Sequence, residues 1–201
     1  MLLKKIVSVL LFLGIVIILL FSFKNNNKET AVEIGGKFEL TNHFGENVSN
    51  KNFKNNFLIV FFGFTNCPDF CPNTLNKISE IINELEKKND KVIPLFITVD
   101  PERDTVLVLK KYLENFHPNI IGLTGTKKQI NEVKKKYKIF SKKVMVNKED
   151  KHVDHDHGDH GEYGVDHTTI IYLMDKKGKY LTHFSGDMNK ASILKKIKEY
   201  L

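Results

Sequence analysis

FLIVFFGFTNCPDFCPNTL, residues 57–75, joins an unbroken apolar run to Cys67 and Cys71, the only two cysteines of the 201-residue chain. The run 57–64 has no polar position, so it reads as a central strand buried on both faces, because a half-exposed strand would alternate. Past the cysteines, Leu75, Ile78, Ile81, Ile82 and Leu85 recur at helical spacing. Pro72 suits the first helical position, which leaves Cys71 as the capping residue. Both sulfurs then lie at the carboxyl end of a sheet, where open α/β folds place their sites. A thiol at a helix N-terminus loses its proton more readily, because backbone N–H groups and the helix dipole favour the thiolate.

Working outward, GGKFELTNHFGENVSN (35–50) alternates Phe38 and Leu40 with polar neighbours around a turn at 44–47, an opening hairpin. KVIPLFITVD (91–100) is the next buried strand, DTVLVLKKYLENF (104–116) a helix, IIGLTG (120–125) a strand and KKQINEVKKKYKIF (127–140) a helix. HTTIIYLMD (167–175), opened by His167, and KYLTHFSG (179–186) form two strands joined by Lys176, Lys177 and Gly178, and a last helix carries Ile193, Leu194 and Ile197. Strands alternating with helices predict an α/β sheet with helices on both faces.

Residues 6–23 carry no charge and are almost wholly apolar, long enough to cross a bilayer as a helix. No small-x-small cleavage site follows, and no cysteine is available for lipid attachment. The expectation is residues 1–5 in the cytoplasm, an uncleaved single-pass anchor at 6–23, a polar tether at 24–33 and one domain at 34–201 on the far side. The absence of an Arg-rich presequence favours a bacterial inner membrane, with the domain in the periplasm. The net charge of +7 comes almost wholly from lysine, with Arg103 the single arginine. These lysines are spread along helices and loops without a recognition motif, which argues against nucleic acid as a partner.

Outside the cytoplasm a close cysteine pair either closes as a disulfide or is held for chemistry, and a bridge over so short a loop stabilises little. Two thiolates are a soft donor set for Cu(I) or zinc. Zinc in a closed site takes four ligands and no third cysteine exists, whereas Cu(I) is satisfied by two or three, so one histidine can complete the set. There are eight histidines. His43, His117 and His183 read singly as structural or exposed. His152, His155, His157 and His160 lie in a polar insert at 149–162, a possible secondary, loose metal-collecting loop that otherwise reads as solvated coil.

GGKFELTNHFGENV, FLIVFFGFTNCPDFCPNTL, ITVDPERDT and EYGVDHTTIIYLMDKKGKY resemble, in order and spacing, the signature blocks of the Sco/SenC family across residues 34–200. The resemblance implies a thioredoxin-like fold and copper bound by Cys67, Cys71 and His167, as Cu(I), Cu(II) or both. It further implies assembly of the binuclear copper centre of cytochrome c oxidase, with that enzyme's copper-bearing subunit, and other copper chaperones, as partners. Asp100 of the ITVDPERDT block is then an acid that supports a metal ligand from behind or docks a partner, against the plainer reading of a strand-end Asp that caps a loop. Asn66 stands where the family often has histidine, and the insert is longer than the family requires. Two functions share these residues: a metallochaperone, and a thiol–disulfide oxidoreductase in which Cys67 and Cys71 reduce the acceptor's cysteines. A peroxidase of peroxiredoxin type fits poorly, because Thr65 stands two residues before Cys67 rather than three.

Overall fold

A computed structural model describes residues 10, 12–18, 33–86, 92–145 and 163–201. The chain divides into two units, 1–33 and 34–201. In the first, residues 10 and 12–18 are helical, and the rest of the expected anchor 6–23 lies outside the described residues. No helix among the described residues is long and apolar enough to cross a membrane. The insert histidines His152, His155, His157 and His160 also lie outside the described residues.

The second unit runs β1 (Glu39–Asn42), β2 (Asn47–Ser49), a 3-10 turn (Asn50–Phe53), β3 (Phe57–Gly63), α1 (Phe70–Glu86), β4 (Val92–Thr98), α2 (Val106–Leu113), β5 (Ile121–Thr124), α3 (Lys127–Lys136), β6 (Ser141–Met145), β7 (Tyr163–His167), β8 (Ile170–Met174), β9 (Tyr180–Ser185) and α4 (Lys190–Lys198). Seven strands form one sheet in the order β2-β1-β5-β4-β3-β8-β9. β3 lies inside it, parallel to β4 and antiparallel to β8, and Leu58 through Gly63 are buried. This is what an apolar run without alternation requires.

Neighbouring residues of β3 face opposite layers. Phe61 meets Phe96 of β4, and Phe96 meets Tyr112 of α2. Phe62 faces the other way, onto Tyr137 at the end of α3. Helices therefore cover both faces, as the sequence predicts. The opening hairpin is β1–β2, and β1 continues the sheet by pairing antiparallel with β5.

Two expectations need correction. α3 stops at Lys136, because Lys138 adopts φ 57° and Ile139 N–H turns back to the Lys134 carbonyl. Residues 167–175 are not one strand: His167 closes β7, and Thr168 and Thr169 separate it from β8. β7 pairs antiparallel with β6 in a separate two-stranded ribbon, Ser141 opposite His167 and Met145 opposite Tyr163.

Candidate metal centre

After Gly63 the chain turns through Phe64–Asp69, and α1 begins at Phe70. Cys71 is therefore inside the first turn rather than its cap, and Pro72 still falls where a helix needs no N–H donor. The Cys71 N–H donates to Cys67 Sγ at 3.4 Å. Both cysteines are free thiols, Cys71 buried and Cys67 half-exposed. Gly63 makes room for the buried sulfur: a Cβ there would stand 2.9 Å from Cys71 Sγ.

The third element arrives from the ribbon. His167 Nε2 lies 3.7 Å from Cys71 Sγ, and its Nδ1 lies 3.0 Å from the Thr168 carbonyl. A proton on Nδ1 satisfies that carbonyl and leaves the Nε2 lone pair facing the sulfur. The Phe64 ring meets His167 edge to face at 5.7 Å between centroids. Among the described residues no three His, Cys, Asp or Glu side chains are gathered closely enough to enclose a metal ion. Cys67, half-exposed, is the remaining donor beside this pair, its sulfur 3.4 Å from the Cys71 N–H.

The two thiols are electrostatically unlike. A hydrogen bond from the Cys71 thiol, with help from backbone N–H groups, holds Cys67 down at about 4 against the opposing effect of burial. The same bond and deep burial push the Cys71 thiol up, well above the ordinary thiol range. In reduced, metal-free protein, Cys67 should alkylate with iodoacetamide at a nearly constant rate from pH 6 to 9. An ordinary thiol would accelerate by roughly two hundredfold over that range. A rate for Cys67 that climbs steeply above pH 8 would contradict the geometry.

Beneath the cysteine loop lies a residue the sequence did not single out. Asp104 is fully buried and accepts from Thr65 N–H at 3.1 Å, Thr65 Oγ1 at 2.6 Å and Thr98 Oγ1 at 2.5 Å. It ties the loop to the end of β4, and burial raises its carboxyl above the usual range. The only signal was its place in the ITVDPERDT block. Asp100 is buried as well: its carboxylate pairs with Arg103 Nε at 2.5 Å and accepts from the Tyr163 hydroxyl at 2.9 Å. His43 accepts from Gly122 N–H, His117 faces Glu86 and His183 pairs with Tyr180, so none of them joins the cysteines.

A thioredoxin-like domain that sets a thiol pair against an imidazole defines a class of sulfur-based metal and redox proteins. The SCO1/SenC family model matches residues 26–201, and the chain belongs to that family. It is 44% identical over 173 residues to a SCO2-like protein of Rickettsia felis, spanning 86% of this chain and 80% of that one. Among solved structures, copper-bound ScoI of Arabidopsis thaliana superposes with a TM-score of 0.72 at 34% identity, covering 83% of this chain and 99% of that one. BsSco, described as a member of the Sco family of cytochrome c oxidase assembly proteins with a disulfide switch, superposes with a TM-score of 0.60 at 28% identity, covering 83% and 92%.

Proposed function

We propose that this chain is a membrane-anchored copper chaperone in which Cys67, Cys71 and His167 carry copper to the copper-bearing subunit of cytochrome c oxidase. The observation that carries the reading is the 3.7 Å approach of His167 Nε2 to Cys71 Sγ across 96 residues of sequence, beside a second thiol. Residues 6–23 would hold the protein in a bacterial inner membrane with the domain in the periplasm, within reach of other copper chaperones that load it.

The donor set fits the cargo. Two thiolates and a neutral imidazole match Cu(I) in softness and number. Cys67 is already a thiolate at neutral pH, whereas Cys71 must give up a proton as the metal enters, so affinity falls as the medium is acidified. Release then proceeds by ligand exchange onto acceptor thiolates, which approach from the side of the half-exposed Cys67. Deleting residues 152–160 would test whether the insert collects further metal; unchanged copper stoichiometry would limit binding to the cysteine site.

A second reading is favoured by the asymmetry of the thiols. The Cys67 thiolate attacks an acceptor disulfide, and Cys71, losing its proton, resolves the mixed disulfide; the acceptor is reduced by two electrons and Cys67–Cys71 becomes the new disulfide. One experiment separates the two. Residues 24–201 are reduced and titrated with Cu(I) against a competing chelator, beside His167→Ala. The chaperone reading expects one tightly held copper per chain, weakened by about tenfold or more in the variant. Tight binding indifferent to His167, or no binding together with efficient disulfide reduction, would assign the site to thiol exchange.

A further inference from the structure

His167 is carried by a two-stranded ribbon that is not part of the main sheet. At its root the ribbon is closed by Thr168 N–H to the Phe140 carbonyl at 3.0 Å and Phe140 N–H to Thr168 Oγ1 at 3.0 Å. At the other end of β7, about 13 Å away at strand spacing, stands Tyr163. Tyr163, Val165 and His167 share one face of the strand by its period of two. Val165, between them, packs on the core.

Tyr163 is gripped from three directions. Its hydroxyl donates to the Asp100 carboxylate at 2.9 Å, its carbonyl accepts from Arg103 Nη1 at 3.0 Å, and its ring lies 3.8 Å from Arg103 Cζ. The same guanidinium lies 5.9 Å from the centre of the Phe64 ring, which in turn meets His167. Arg103 Nη2 is buried and has no hydrogen-bond partner among the described residues. Besides its ion pair with Asp100, the guanidinium is held by the Tyr163 carbonyl and ring, with the Phe64 ring at the edge of cation–π range. The exposed Lys143–Glu102 pair at 2.5 Å, also reaching from the ribbon to this loop, adds little by comparison.

We propose that Tyr163, Arg103 and Asp100 form a latch that positions His167 over Cys71, acting along β7 and through the Phe64 ring. None of the three touches the sulfurs in the contacts described; they are positioning residues for the third ligand. The purpose of the latch rests on the copper reading above. Released, the ribbon would leave a metal with two sulfur ligands and a free imidazole, a form readier for exchange onto an acceptor.

The test combines Tyr163→Ala and Tyr163→Phe with His167→Ala in a double-mutant cycle on Cu(I) affinity, together with amide hydrogen exchange of the metal-free proteins. Tyr163→Ala should weaken Cu(I) by about tenfold in the parent yet change it by less than about twofold in the His167→Ala background. Tyr163→Phe, which keeps the stacked ring, should recover part of the loss. In the metal-free variant, exchange should accelerate at residues 141–145 and 163–167 while α1 and β3 stay protected. Equal losses in both backgrounds, unchanged affinity, or unchanged ribbon exchange would each overturn the latch. If Tyr163→Ala does not fold, Tyr163→Phe carries the same comparison. If the parent binds no Cu(I), the chaperone reading fails and the ribbon exchange alone decides whether the latch exists.

Discussion

Asp104→Ala is expected to destabilise the domain by about 2–4 kcal/mol, because it leaves the buried Thr98 hydroxyl and the half-buried Thr65 N–H and hydroxyl without an acceptor. Those donors are Thr65 N–H, Thr65 Oγ1 and Thr98 Oγ1, and Asp104 takes all of them. The cost should depend on pH in a defined direction. Burial raises the folded-state carboxyl above its ordinary value, so the contribution of Asp104 is full below the unfolded pKa of 3.8 and declines as pH rises through the folded one. The penalty measured by urea unfolding should therefore be larger near pH 4 than near pH 7. Equal midpoints for parent and variant would show that the network under the cysteine loop carries no stability.

The second large effect is expected at a residue with no side chain. In Gly63→Ala the new methyl would stand 2.6 Å from Phe96 Cε2, 2.9 Å from Cys71 Sγ and 3.3 Å from Phe61 Cε1. Overpacking of this kind costs about 1–3 kcal/mol, and the rings and the sulfur have to move. Phe96, Phe61 and Cys71 are all fully buried, so none can absorb the methyl alone and the sulfur shifts together with the rings. On the copper reading, Cu(I) affinity should fall by about tenfold or more, the scale of a disturbed ligand shell. A melting curve separates the two consequences. A lowered melting temperature with unchanged affinity would mean that the backbone absorbs the methyl and that the place of Cys71 Sγ is not set by Gly63.

The central strand, the helix behind it and the order of α/β elements were legible from local pattern alone. FLIVFF admits no exposed face, and Leu75, Ile78, Ile81, Ile82 and Leu85 repeat at the period of a helix that buries one side. The cysteine pair was legible for the same reason, since a strand end followed by a helix start is a location that a sequence states directly. The β6–β7 ribbon was not. SKKVM and YGVDH are short, mixed in polarity and mostly not buried, and their pairing spans the segment 146–162, so neither strand carries a period that marks it.

The sequence by itself thus determined the class of fold, the two sulfurs at the carboxyl edge of the sheet and, through its ordered blocks, the family. Only the tertiary structure decided which histidine meets the sulfurs as a matter of geometry, that Gly63 clears space for Cys71, and that Asp104, Arg103 and Tyr163 hold the loop and the ribbon. The physical reason is range. Periodicity and capping act over a few residues and leave a mark in the order of amino acids, whereas His167 reaches Cys71 across 96 positions and Tyr163 reaches Asp100 across 63, through contacts that exist only once the sheet has formed.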